Sequence, residues 1–145
     1  MAVKIKNPAT LIDIKNAIHS WLDLLADEKY RDAYAFTLHD PYYEWTPELL
    51  EQVINGYGLP YENDGSPKYK VTKWSTAINE DNCKYNEEIT FFDKPRDYSS
   101  QNLLEIGEVY YNLPLDGEWS DLTATFIILQ SADFTTLELN EIHVM

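Results

Sequence analysis

The sequence predicts an α+β fold: about three N-terminal helices packed on a curved antiparallel sheet of four to five strands, in one domain over residues 1–145. Three observations predict it. Apolar residues recur at helical spacing up to Gly58, they alternate with a period of two from Lys68 onward, and turn-forming residues punctuate the segments between. Helices segregated before strands give an antiparallel sheet with helices on one face rather than alternating βα units.

The first helix starts at Thr10, where Asp13 three positions later completes a capping-box pattern. Leu11, Ile14, Ile18, Trp21, Leu22 and Leu25 then form one apolar stripe about four turns long. Asp27 is expected to cap a second, shorter helix carrying Tyr30, Ala33, Tyr34 and Leu38, which Pro41 ends. Thr46-Pro47-Glu48 opens a third: a capping hydroxyl, proline at the first helical position and an acid facing the positive helix end. Leu49, Leu50, Val53 and Ile54 supply its buried face, and Gly56 and Gly58 stop it.

Lys68–Ile78 alternates as a first strand, followed by a turn at Asn79–Asn82 and a second strand around Tyr85–Phe92. Lys94–Asn102 reads as a polar loop and Leu104–Leu113 as a strand, and Asp116-Gly117 is a hairpin signal. Trp119–Leu129 places Leu122, Ala124, Phe126 and Ile128 on one face, while Ile127 and Leu129 make its far end apolar on both. In the last strand Leu137 and Leu139 share a parity that Ile142 and Val144 reverse, which predicts a β-bulge near Asn140–Glu141. Trp21, Leu25, Ile54, Leu122, Phe126 and Leu137 are the expected core.

Charge narrows the function classes. The formal net charge is −14, with 25 acidic against 11 basic residues. From Asp97 to the end there is no lysine or arginine, while Asp97, Glu105, Glu108, Asp116, Glu118, Asp121, Asp133, Glu138 and Glu141 all lie there. Such a segment selects cationic partners and repels nucleic acid and anionic lipid. Aromatics at 14% and hydrophobic residues at 44% support a folded core rather than a disordered acidic tail. Tyr42, Tyr43 and Trp45 crowd the loop before the third helix, as core closure or as a contact surface.

Catalytic and metal signals are sparse. Cys83 is the single cysteine, so neither a disulfide framework nor a CxxC site is available. Asp116, Gly117, Glu118 and Asp121 fit hairpin chemistry better than a calcium loop. His19, His39 and His143 are dispersed; Glu141 and His143, two apart on one strand, are expected to face the same way and pair. No GxSxG elbow, phosphate-cradling loop, HExxH or dinucleotide fingerprint occurs. No metal, nucleotide or other cofactor is expected, catalytic residues are not assigned, and an enzyme is the less favoured class. The absence of an apolar leader or spanning stretch gives a cytoplasmic expectation with no membrane partner.

The order of a long amphipathic helix, two short helices and then strands resembles the nuclear-transport-factor-two-like, or cystatin-like, architecture, without that family's extra strand between its second and third helices. The stretch Leu113–Phe126 with Glu141-Ile142-His143-Val144 also resembles small bacterial proteins of uncharacterised activity. Proteins of similar size, acidity and layout include bacterial immunity proteins that neutralise secreted toxins.

Three readings compete. In the first, the chain is an acidic binding module that masks a basic protein partner, most concretely a toxin, through Glu105, Glu108, Glu118, Asp121, Glu138 and Glu141, with Tyr111 and Trp119 as aromatic anchors. In the second, a pocket between helices and sheet binds a small molecule or performs isomerase- or dehydratase-like chemistry, which needs a polar group buried among Trp21, Tyr34, Trp74 and Phe126. The third is a structural homodimer through a sheet face, which the like charge there opposes.

Overall fold

The computed structural model describes residues 2–56, 71–72, 87–98, 103–115 and 118–144. Its elements are β1 (Ile5–Lys6), α1 (Leu11–Ala26), α2 (Tyr30–Phe36), β2 (Leu38–His39), a 3-10 turn (Pro41–Tyr43), α3 (Pro47–Asn55), β3 (Glu87–Tyr98), β4 (Leu103–Leu115), β5 (Glu118–Gln130) and β6 (Phe134–Val144). The α+β class holds: three helices pack against an open six-stranded sheet ordered β1-β6-β5-β4-β3, with β2 also paired to β6. Every pairing is antiparallel except the short β2–β6 one.

Local chemistry sets the helix ends. Thr10 and Asp13 form the capping box, each side chain accepting from the other's backbone N–H at 3.2 and 3.0 Å. Thr46 Oγ1 accepts from Leu49 N at 3.0 Å, with Pro47 next in line. The start of α2 differs from expectation, because Asp27 is the C-cap of α1 and Lys29 precedes α2. There the chain reverses through Glu28 in the left-handed region (φ 59°), and Glu28 N and Lys29 N bond back to Leu25 O and Leu24 O. Those bonds satisfy carbonyls at the end of α1, so Asp27 is already used when α2 begins. Nor does α2 run to Pro41. It stops at Phe36, and Leu38–His39 extends beside β6 at Glu138–Leu139, giving a strand between the second and third helices.

The core lies between the α1 stripe and one face of the sheet. Ile14, Ile18, Trp21, Leu22 and Leu25 are each 0% exposed and meet Val109, Phe126, Ile128, Leu137 and Leu139. Trp21 and Phe126 pack edge-to-face with centroids 5.0 Å apart. All six expected core residues are buried. Burying a large apolar side chain contributes about 1.5–3 kcal/mol, so this stripe and its partners dominate the cohesion of the two layers.

The expected bulge is present: Thr125 pairs Glu141 and Phe126 pairs Leu139, leaving Asn140 as the extra residue. The bulge returns Ile142 to the helix-side face after Leu139, which resolves the parity conflict in the sequence. A second bulge omits Ile106 from the β4–β5 pairing, next to Gly107. A Cβ on Gly107 would lie 2.4 Å from Thr90 O, so the close approach of β3 to β4 requires glycine there.

One loop assignment is corrected. Residues Arg96–Tyr98 pair with Glu105–Leu103, so β3 continues past Phe91 after an excursion through Phe92–Pro95. Pro95, which lacks an N–H, falls within that excursion, where no ladder bond is needed. The strand expected over Lys68–Ile78 lies outside the described residues except at Val71, which bridges Leu115, and Thr72, whose N–H bonds Pro114 O. Gly58 and the turn at Asn79–Asn82 also lie outside the described residues.

Candidate functional site

Register and alternation assign the second face of the sheet, away from the helices. Phe126 faces α1, so its strand neighbours Thr125 and Ile127 face outward. Three rows then cross β4, β5 and β6 on the outer face: Glu108–Ile127–Glu138, Tyr110–Thr125–Glu141 and Asn112–Thr123–His143. The acidic residues and threonines alternate with core residues along each strand, so one period-two pattern produces both the apolar face and this polar one.

A shallow depression of about 450 Å³ opens across this face, lined by Asp40, Pro41, Asp97, Glu105, Ile127, Glu138 and Asn140. Its lining runs from the segment after β2, over β6, β5 and β4, to β3. With strands about 4.8 Å apart, β6 to β3 is a span of roughly 14 Å. Four carboxylates surround an apolar patch, Ile127 and Pro41. Among the described residues no ion pair reaches Asp40, Asp97 or Glu105.

The segment Asp40–Trp45 forms a strap over the β6 edge. The bulge leaves Asn140 out of regular pairing, and the strap bonds the carbonyls there: Asp40 N bonds Leu139 O at 3.0 Å and Trp45 Nε1 bonds Asn140 O at 3.0 Å. Thr125 repairs the ladder at the same point, its Oγ1 donating to Glu141 O at 3.3 Å and accepting from Glu141 N at 3.1 Å. Tyr43 Oη donates to Glu141 Oε2 at 2.7 Å. This bond to a carboxylate is the largest cause of a Tyr43 hydroxyl pushed up to about 12, with burial and the charges of Glu141 and Asp40 adding to it.

Glu141 and His143 face the same way, as their spacing implies, with Nδ1 3.2 Å from Glu141 Oε1. The pair lacks hydrogen-bond alignment, and the other carboxylate oxygen is held by Tyr43, so Glu141 acts here as a fastener for the strap. His39 stacks flat on Tyr34 at 3.9 Å and bonds its carbonyl at 2.6 Å; burial lowers its pKa, with the bond to the Tyr34 carbonyl opposing.

The sequence-derived contact residues divide. Glu105, Glu108 and Glu141 are partly exposed on or beside the outer face. Glu138 lines the depression but is only 4% exposed. Tyr111 is 1% exposed, shares the helix-side parity of Val109, and bonds His19 Nε2 at 2.8 Å, so it is a core residue and not an exposed anchor. Glu118, Trp119 and Asp121 lie on β5, and their side chains fall outside the described residues.

Asp40, Asp97 and Asn140 belong to the depression and were not among the expected contacts. The predicted bulge was the one available signal, since it aims Asn140 and draws in the strap that carries Asp40. His19 was placed off the apolar stripe, yet it is 8% exposed at the stripe's flank. Among the described residues no helix is long and apolar enough to cross a membrane, and no cluster of three metal-type ligands occurs. No family model, curated protein or solved structure matches this chain.

Proposed function

We propose that the chain is an acidic binding module that masks a basic protein partner, and that the outer-face depression receives the partner's cationic side chains. The observation that carries this reading is the set Asp40, Asp97, Glu105 and Glu138 around an apolar floor. An excess of carboxylates over cations leaves a negative field, which steers an oppositely charged surface and aligns it on contact. Ile127 and Pro41 offer apolar area to the methylene stem of a lysine or arginine whose head reaches the acids. A bacterial immunity protein that neutralises a cationic toxin is the most concrete version, consistent with the size, the acidity and the cystatin-like layout expected from the sequence.

The test is affinity capture from the native cell at low salt. It compares the wild-type chain, an Asp97→Lys/Glu105→Lys variant and a Glu48→Lys/Glu51→Lys control on the helical side. A basic protein held by wild type and control but lost by the depression variant is the expected result. Identical captured proteins for all three would overturn the reading.

One observation favours the pocket reading as the alternative. The His19–Tyr111 pair places an imidazole and a phenol, bonded at 2.8 Å, inside the layer between α1 and the sheet. A ligand whose binding is lost in both His19→Phe and Tyr111→Phe, with the fold retained, would move that reading ahead.

A further inference from the structure

We infer that Tyr42, presented by the strap, is the stacking platform for an arginine side chain of the basic partner, beside the depression that receives its charge. This rests on the binding reading above and adds to it a residue and a preference for arginine over lysine. Tyr42 is 82% exposed, more than any other large apolar side chain described. It follows Pro41, which lines the depression, and so starts one Cα step from it.

An exposed ring is ordinary; this one is also immobilised. Proline precedes it, Asp40 Oδ1 accepts from Tyr42 N at 2.9 Å, and its ring meets Tyr43 edge-to-face at 4.9 Å and 84°. Tyr43 is fastened to Glu141, and Trp45 to the Asn140 carbonyl. Glu44, in the left-handed region at φ 51°, turns the chain sharply between those two anchors. Every residue from Asp40 to Trp45 is therefore tied down or conformationally restricted, while the Tyr42 ring faces solvent. Pre-organised aromatic area costs little entropy to bury, which is why tyrosine recurs at the centres of interfaces.

Charge complementarity selects the occupant. Tyr42 is flanked in the chain by Asp40 and Glu44 and follows Pro41 of the acidic depression, so a cationic group complements it. Guanidinium is planar, weakly hydrated and stacks on aromatic faces, whereas ammonium is a strongly hydrated point charge. The molecule uses the same contact on its own surface, where the Arg96 guanidinium lies 4.6 Å from the centroid of Phe92.

The experiment titrates the full chain with hexa-arginine and hexalysine peptides at low salt, by calorimetry, for wild type, Tyr42→Ala, Tyr42→Phe and Asp97→Asn/Glu105→Gln. Wild type is expected to favour hexa-arginine, and Tyr42→Ala to cut that preference by about 2- to 5-fold with hexalysine binding nearly unchanged. Tyr42→Phe keeps the preference, because the ring face and not the hydroxyl makes the contact. An arginine-to-lysine ratio equal in wild type and Tyr42→Ala overturns the role of Tyr42 alone, provided Asp97→Asn/Glu105→Gln weakens both peptides. If that double variant binds both peptides as wild type does, or if neither peptide binds wild type, the depression reading fails and this inference with it. Thermal unfolding of Tyr42→Ala at the wild-type temperature confirms that the ring's loss does not act through the fold.

Discussion

Tyr43 donates a 2.7 Å hydrogen bond from its hydroxyl to Glu141 Oε2, joining residues 98 positions apart. With the Asp40 and Trp45 bonds to Leu139 O and Asn140 O, it couples the strap to the last strand next to its bulge and fixes where Asp40 and Pro41 stand relative to Glu138 and Asn140. The carboxylate favours the neutral phenol, so the bond's contribution is complete below the ordinary tyrosine range and is lost as pH rises through about 12.

Spectrophotometric titration of the phenols should accordingly show late-ionising tyrosines. Tyr43 should ionise at about 12, and so should Tyr30, held up by burial first and then by the charges of Glu51 and Glu28. Tyr43→Phe should remove one late transition, and Glu141→Gln should move it to lower pH while leaving Tyr30 in place. A late-ionising population unchanged by either substitution would rule out the fastening role.

Gly107→Ala should destabilise the fold by about 1–3 kcal/mol, the usual cost of overpacking. The added methyl would meet Thr90 O at 2.4 Å and Ile128 Cδ1 at 3.0 Å, and the first of these is backbone that cannot rotate away. Urea unfolding reads the change, and a midpoint equal to wild type would contradict the close β3–β4 approach.

Thr10→Ala removes half of the capping box on α1 and should cost about 1 kcal/mol in the same assay. Thr10→Ser keeps the hydroxyl and should restore most of it. The effect should be insensitive to salt, because the Thr10 half of the box is a hydroxyl-to-amide bond.

Salt and charge reversal separate docking from solubility. If the outer face docks a basic partner, raising ionic strength past the point where screening acts over about 8 Å should lower affinity chiefly through slower association. Asp97→Lys with Glu105→Lys and Glu118→Lys with Asp121→Lys should each weaken binding strongly, and Glu28→Lys with Glu51→Lys least. Surface changes of this kind usually alter stability by no more than about 0.5 kcal/mol, which circular dichroism melts would verify. Equal losses from all three pairs would assign the charge to solubility.

Much of the fold was legible because its causes are local or periodic. The capping box at Thr10, the Thr46-Pro47 start and the stripe through Trp21 follow from contacts within one or a few turns. The bulge at Asn140 was legible for a related reason: a period of two cannot bury both Leu139 and Ile142 on one face, so a register shift was required. Where neighbours competed for the same groups, the reading failed. Asp27 looks like a helix cap in isolation, but the left-handed turn at Glu28 commits it to the end of α1.

The sequence by itself determined the α+β class, the starts of α1 and α3, the core stripe and the acidic character of the last strands, since all of these follow from short-range spacing and composition. Only the tertiary structure decided which acids share a site. Parity along β4 sends Tyr111 inward to His19 while Glu108 turns outward, and that choice depends on which face α1 covers. Asp40, Asp97, Glu105 and Glu138 come from four separate segments, brought together by strand order and by a strap that bonds the carbonyls beside a bulge. Strand order is set by burial summed over the whole sheet, and no local pattern of residues encodes it.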